Sequence, residues 1–170
     1  MRVIIKNTYD SVCYWTASYI KNKIMERIDT KIVIGLPTGS TPLQVYKYLI
    51  DFYNNNELTF KHVITFNMDE YIGLDKSHVQ SYHYFMFQHF FNHIDINHNN
   101  IHMLDGMSNN LEEECLNYEK LIKDNGGIDL MLGGIGTDGH IAFNEPGSSL
   151  NSITRIKTLN DETIESNSRF

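Results

Sequence analysis

The chain of 170 residues is long enough for one domain with a substantial core, whereas a second independent domain would be cramped. Its net charge of -7 offers no basic field for a polyanion, so the composition disfavours nucleic-acid binding, and an anionic ligand would need a local binding device. Hydrophobic residues at 41% and charged residues at 21% are ordinary for a soluble globular protein.

Two cysteines, Cys13 and Cys115, lie far apart in segments with helical patterns and outside any zinc-binding spacing. The sequence therefore predicts buried or half-buried thiols in a reducing compartment. The apolar run at the N-terminus is too short for a signal peptide, and no later segment is long enough to span a bilayer. We therefore expect a cytoplasmic protein without membrane contact.

Short β-branched runs alternate with longer amphipathic runs along the chain. In the first part this pattern predicts strands at 2–5, 31–36 and 62–67 and helices at 10–28 and 42–53. In the second part it predicts an aromatic-rich helix at 81–91, strands at 101–104 and 128–132, and a helix at 111–124. A short strand at 155–159 and a final helix capped by Asn160 or Asp161 complete the predicted elements.

Strands that are apolar throughout and separated by helices predict a parallel sheet covered on both faces. We therefore expect a single α/β domain over residues 1–170, doubly wound and Rossmann-like, with a mostly parallel open sheet. In such a sheet, ligands bind where loops leave the carboxyl ends of the strands. Three predicted loops there carry unusual chemistry: PTGSTP at 37–42, NMDEYIG at 67–73 and GGIGTDGHIAFNEPGSS at 133–149.

The first loop joins a strand to a helix. Gly39 allows the backbone to approach a ligand, and Ser40 and Thr41 offer hydroxyl groups together with amides at the helix N-terminus. This combination is typical of a phosphate cradle, although the loop lacks the spacing of a Walker A motif. Taken alone, the same residues also fit an ordinary turn.

The second loop places Asp69 and Glu70 directly after a buried strand. We expect at least one of the two carboxylates to point into the cleft, where it would act as a general base if burial raised its pKa toward neutrality. The alternative is an acidic pair that caps a helix or lies in solvent.

The third loop sets His140 between Asp138, two residues before it, and Glu145, five residues after it. A histidine held between carboxylates keeps a set tautomer and a raised pKa, as proton transfer requires. A metal site is the alternative, but the spacing fits no familiar metal-binding signature and HExxH is absent. The pattern therefore favours acid-base chemistry without a metal.

Four longer motifs stand in unbroken order: GLPTGSTP, FKHVITFNMDEYIGL, GGIGTDGHIAFNEP, and SITRIKTL followed by NSRF. Together they resemble the glucosamine-6-phosphate deaminase family, also called glucosamine-6-phosphate isomerases. The resemblance implies an enzyme that converts glucosamine 6-phosphate and water to fructose 6-phosphate and ammonia, with no metal or organic cofactor. Members of that family continue well beyond NSRF, so we expect the domain to be incomplete at its C-terminus.

The resemblance also implies a role for each catalytic residue. Asp69 matches the base that moves a proton between C2 and C1 of the substrate. His140 matches the group that opens the sugar ring, with Asp138 and Glu145 as the carboxylates that orient and tune it.

The remaining implied roles concern phosphate groups. The substrate phosphate would be bound by Thr38, Gly39, Ser40, Thr41 and Arg169. In allosteric, hexameric members the activator is N-acetylglucosamine 6-phosphate, and the matching positions are Ser148, Ser149, Arg155, Lys157 and Thr158. A solvated basic strand is the alternative for this last group, and a homo-oligomer is left open.

Two other functions remain to be distinguished. A 6-phosphogluconolactonase-like hydrolase would share the fold and a GxDGH motif, but it lacks the continuation seen here from Phe143 to Pro146. A non-catalytic sugar-phosphate-binding module would keep the phosphate loop and can lose the acid-base residues. The continuation from Phe143 to Pro146 favours the deaminase over the hydrolase, and the presence of all the predicted acid-base residues favours it over the binding module, which stays open as the alternative.

Overall fold

A computed structural model describes residues 1–136, 139–144 and 147–159, and within them the chain forms a parallel sheet of four strands. The strands are β1 (Ile32–Leu36), β2 (Val63–Asn67), β3 (Ile101–His102) and β4 (Leu130–Met131). The helices are α1 (Tyr9–Met25), α2 (Leu43–Asn54), α3 (Tyr82–His89) and α4 (Leu111–Asp124), with short 3-10 turns at Phe91–His93 and His98–Asn100. The predicted doubly wound α/β fold is confirmed.

The order of the strands in the sheet is β3-β2-β1-β4. The chain moves outward from β1 through β2 to β3, and α4 then returns it to the other side of β1, where β4 pairs in parallel. The strand order therefore reverses at β1. In open α/β sheets the crevice beside the carboxyl ends at such a reversal is the usual place for a ligand.

Alternate side chains of the central strands pack on opposite faces of the sheet. From β1, Ile32, Ile34 and Leu36 join a core with α1, α2 and α3, whereas Val33 packs with Phe66 and α4 on the other face. All five residues of β1 and of β2 are buried. This burial on both faces explains why these strands are apolar without alternation.

Three of the four helices begin with a side-chain cap. Thr8 accepts from the amide of Ser11 at α1, Ser81 accepts from Tyr84 at α3, and Asn110 accepts from Glu113 at α4. The residue before α2 is Pro42, which provides no side-chain cap. The Leu43 amide donates to the Ser40 carbonyl at 3.4 Å, and within the described residues no side chain caps the first turn of α2, at the end of β1 that faces the crevice.

Several predicted boundaries change in the structure. Residues 2–5 form no strand and are mostly exposed, and residues 155–159 likewise form no strand. A short apolar run becomes a strand only when a neighbour completes its hydrogen bonds, and the described part of the chain supplies none for either segment. The aromatic-rich helix ends at His89, before the predicted position 91, and the helix predicted from Asn160 or Asp161 lies outside the described residues.

Two further expectations can be compared with the described residues. Both cysteines are free thiols, with Cys13 buried and Cys115 half-buried, as predicted. None of the helices in these residues combines the length and the apolar character needed to cross a bilayer.

Candidate active site

A cavity of about 890 Å³ opens at the carboxyl ends of β1, β2 and β4. All three chemically unusual loops line it, and the first turns of α1 close one side through Tyr9, Val12 and Cys13. The convergence of the three loops at one edge of the sheet is therefore as the sequence predicts.

The two adjacent carboxylates of the second loop point in different directions. Asp69 lines the cavity. Glu70 instead accepts hydrogen bonds at 2.9 Å from the backbone amides of Tyr71, Tyr82 and His83, and so caps the first turn of α3. One carboxylate therefore faces the cavity and the other caps a helix, while the role of Asp69 as a base stays a prediction.

The position of Asp69 changes its acidity. The residue keeps some surface toward the cavity, but its carboxyl group is largely withdrawn from water. This burial, together with the negative charge of Glu70, raises the pKa of Asp69 from 3.8 to about 7. A carboxyl group with this pKa can take up and release a proton near neutral pH.

The first loop lies at the start of α2. Thr38, Gly39, Ser40 and Thr41 all line the cavity, and Gly39 has a φ of 97°, in the left-handed region that favours glycine. Among the described residues, no acceptor is bound by the four backbone amides of this run.

Two tyrosines hold the carbonyl groups at the ends of the same loop. The buried hydroxyl of Tyr46 donates to the Pro37 carbonyl, and the hydroxyl of Tyr9 donates to the Thr41 carbonyl at 2.5 Å. These bonds occupy the acceptors at both ends, so the loop meets the cavity with amides and hydroxyl groups that suit an anion.

His140 also lines the cavity, and the backbone around it is tightly curved. The Gly136 amide donates to the His140 carbonyl at 2.9 Å, and Ala142 has a φ of 52°. A Cβ atom at Gly136 would lie 2.1 to 2.4 Å from three atoms of the imidazole ring. Glycine is therefore required at position 136 for His140 to occupy its place in the cavity.

An aromatic wall, which the sequence analysis did not predict, completes the cavity. Its members are Tyr71, Tyr82 and Phe143; the ring centroids of Tyr71 and Tyr82 are 4.8 Å apart, and that of Phe143 lies 6.0 and 6.5 Å from them. The Tyr82 hydroxyl donates to the Tyr71 hydroxyl at 3.0 Å. The signal in the sequence is Tyr71 itself, two positions after Asp69, where an extended chain places both side chains on one face.

The remaining predicted residues lie elsewhere. Asp138, Glu145 and Arg169 fall outside the described residues. The five predicted activator positions are absent from the cavity lining and belong to the segment 147–159: Ser148, Ser149, Arg155, Lys157 and Thr158. In that segment, an Arg155 guanidinium nitrogen donates to the Asn144 side chain at 2.7 Å, and the Ser149 hydroxyl accepts from the Asn151 amide.

Within the described residues, no group of three or more His, Cys, Asp or Glu side chains is arranged to hold a metal ion.

Comparison with known proteins identifies the class. The family model for glucosamine-6-phosphate isomerases and 6-phosphogluconolactonase matches residues 6–156. The chain belongs to this family, on its glucosamine-6-phosphate deaminase side.

Individual relatives support that placement. Glucosamine-6-phosphate deaminases of Treponema denticola and Caenorhabditis elegans are 62% and 58% identical over the whole chain, which spans 64% of the length of each. The structure of a monomeric glucosamine-6-phosphate deaminase matches 99% of this chain and 69% of its own, with a TM-score of 0.96 at 39% identity. A 6-phosphogluconolactonase of Thermotoga maritima matches 82% of this chain and 62% of its own, with a TM-score of 0.67 at 26% identity.

Neutralising the two adjacent carboxylates should change stability in opposite directions. Asp69 is protonated more readily in the folded chain than in the unfolded chain, so it lowers stability as pH rises from about 4 through 7. We expect Asp69→Asn to raise the free energy of unfolding at pH 8 by on the order of 2–4 kcal/mol, and to leave it nearly unchanged at pH 4.

Glu70→Gln is the matched control for that experiment. It weakens charge-assisted bonds to the start of α3 and should lower the free energy of unfolding at pH 8 by about 1–3 kcal/mol. Denaturant unfolding at both pH values measures the two effects. Destabilisation by Asp69→Asn at pH 8 would contradict the raised pKa.

Two glycines of the third loop provide a test of the His140 environment. Gly136→Ala should displace the imidazole ring, because the added Cβ atom overlaps it, whereas a Cβ atom at Gly134 meets nothing within 4 Å. We expect the His140 ring resonances in a proton-carbon NMR spectrum to move strongly in Gly136→Ala and little in Gly134→Ala. Equal shifts in both variants would show that the close approach does not hold His140.

Proposed function

We propose that this chain carries the reaction centre of a glucosamine-6-phosphate deaminase, which converts glucosamine 6-phosphate and water to fructose 6-phosphate and ammonia. The observation that carries the proposal is the burial of the Asp69 carboxyl group, which raises its pKa to about 7, in a cavity shared with His140 and the loop that begins α2. An aldose-ketose isomerisation needs a base of this kind, because a proton must be taken from one carbon and returned to the next.

The substrate phosphate would lie at the first loop. The donors for a dianion are the hydroxyl groups of Ser40 and Thr41, the start of α2 without a side-chain cap, and four backbone amides that bind no acceptor among the described residues. Arg169, which falls outside the described residues, is proposed from its motif as the cation that adds charge complementarity. A phosphate held here leaves the rest of the sugar to extend toward Asp69.

The chemistry follows in order along the cavity. The C2 proton becomes acidic only after the pyranose ring opens to an aldehyde, and we assign that step to His140, with Asp138 and Glu145 as its proposed partners. Asp69 then takes the proton from C2 and returns it to C1, which forms the enolamine and then the imine at C2. Water adds to the imine, and ammonia leaves to give the ketose. A pKa near 7 suits Asp69 to both halves of the transfer.

Regulation and location belong to the same proposal. The motif SITRIKTL supports binding of N-acetylglucosamine 6-phosphate as an activator, and Arg155 and Lys157 are exposed in the segment that would receive its phosphate. A homo-oligomer and a cytoplasmic location complete the proposal, on the basis of composition and motif.

Two rival functions make different use of the same site. A 6-phosphogluconolactonase hydrolyses an ester and needs no base that moves a proton between carbons. The rings of the aromatic wall line the same cavity as Asp69, and Phe143, which the lactonase motif lacks, packs against both tyrosines. A sugar-phosphate-binding module would gain nothing from a buried carboxyl group that lowers stability. The aromatic wall in the same cavity as the proposed base therefore favours the deaminase over the lactonase, and the buried carboxyl group of Asp69 favours it over the binding module.

The test is an enzyme-coupled ammonia assay with glucosamine 6-phosphate, run beside hydrolysis of 6-phosphogluconolactone. We expect ammonia release that persists in EDTA, and a loss of about 10³-fold or more in kcat for Asp69→Asn. The Asp69→Asn variant should still be stabilised thermally by substrate, because the phosphate loop is intact.

Three results would contradict the proposal. Lactone hydrolysis without ammonia release would support the rival enzyme, and thermal stabilisation by substrate without either reaction would support a binding module. Full turnover by Asp69→Asn would remove Asp69 as the base.

A further inference from the structure

The two tyrosines of the aromatic wall form a directed pair of hydroxyl groups. The Tyr82 hydroxyl donates its proton to the Tyr71 oxygen at 3.0 Å. The direction of donation therefore runs from Tyr82 to Tyr71.

This direction leaves one proton in a defined place. The Tyr71 oxygen accepts from Tyr82, and within the described residues no group accepts the Tyr71 proton. The Tyr71 side chain is half-buried and lines the cavity. Its hydroxyl is therefore a donor for a group inside the cavity.

The donor lies close to the proposed base. Tyr71 follows Asp69 by two positions on the same loop, and the charge of Asp69 contributes to the raised pKa of both tyrosines, after burial. We therefore expect the Tyr71 hydroxyl to reach, as a hydrogen-bond donor, a substrate atom that lies beside the Asp69 carboxyl group.

The reaction creates a need for a donor at this point. When a base removes the proton from C2 of the open-chain aldehyde, the C2–H electron pair forms the C1–C2 double bond. The carbonyl π pair then moves onto O1, which becomes an oxyanion. A preorganised hydrogen-bond donor aimed at such an oxygen contributes strongly to the rate, because it acts most in the transition state.

We propose that the Tyr71 hydroxyl donates a hydrogen bond to O1 of the open-chain substrate as Asp69 takes the C2 proton, with Tyr82 as the positioning residue for Tyr71. The C2 proton ends on the Asp69 carboxylate and the charge on O1, where Tyr71 holds it until a proton from the substrate's C2 ammonium group reaches O1. Asp69 then returns its proton to C1 as the nitrogen lone pair forms the C2=N bond. This inference rests on the proposed deaminase function and adds a catalytic residue to its site.

The surroundings fix Tyr71 for this role. Its backbone amide donates to Glu70 at 2.9 Å, and its carbonyl oxygen lies so close to Gly106 that a Cβ atom there would be 2.0 Å away. Burial raises the pKa of Tyr71, and the hydrogen bond from Tyr82 acts against that rise. The ring is further held by Tyr82 and Phe143.

The experiment compares three Tyr→Phe variants that keep the aromatic ring. Tyr71→Phe should lower kcat by about 10²- to 10³-fold, with KM changed by less than about threefold, because the lost bond strengthens only in the transition state. Tyr82→Phe should lower kcat by about tenfold, since Tyr71 remains but loses its orientation. Tyr84→Phe, on the exposed side of α3, is the matched control and should match the unchanged chain.

A binding measurement separates this inference from the proposed function. Two open-chain phosphates are compared, a hydroxamate with a planar anionic oxygen at the position of O1 and a polyol without a carbonyl group. Tyr71→Phe should weaken the hydroxamate at least tenfold more than the polyol. This selectivity can be measured whether or not ammonia is released, so failure of the ammonia assay would remove only the proposed function. Unchanged kcat in Tyr71→Phe, or equal loss of both analogues, would overturn the role of Tyr71.

Discussion

The site depends on the removal of water from one carboxyl group at the end of β2. The strand is buried along its whole length, and the loop that follows it brings Asp69 beneath the cavity while Glu70 turns back to α3. The loss of hydration, and after it the negative charge of the adjacent Glu70, raise the pKa of Asp69. The reactivity of the site is therefore a consequence of where two neighbouring carboxylates are placed.

The other parts of the site are arranged around this carboxyl group. The carbonyl groups at both ends of the phosphate loop are occupied by Tyr46 and Tyr9, which leaves the amides between them for an anion. The close packing of Gly136 on His140 fixes a second titratable group in the same cavity. In the proposed reaction, a phosphate group bound at this loop would position the reacting carbons relative to Asp69.

Much of the fold can be predicted from the sequence because the central strands are apolar on both faces and the helices carry clear caps. The strand predicted at 2–5 is wrong, since three apolar residues in a row form a strand only where a neighbouring strand completes their hydrogen bonds. Asp69 is predictable from its place after a buried strand. The aromatic wall is not, because tyrosines in an aromatic-rich helix look like core residues until the loops are brought together. Asp69 faces the cavity and Glu70 does not because Glu70 caps α3, which begins 12 residues after Glu70 in the sequence.

The central claim is that burial makes Asp69 a base for neutral pH. The most direct measurement is a carbon NMR titration of the chain labelled at the aspartate carboxyl carbons, with the Asp69 resonance assigned from its absence in Asp69→Asn. The account predicts a pKa of about 7 for that resonance, with a downward move when Glu70→Gln removes the adjacent charge. A pKa near 4, unaffected by Glu70→Gln, would contradict it.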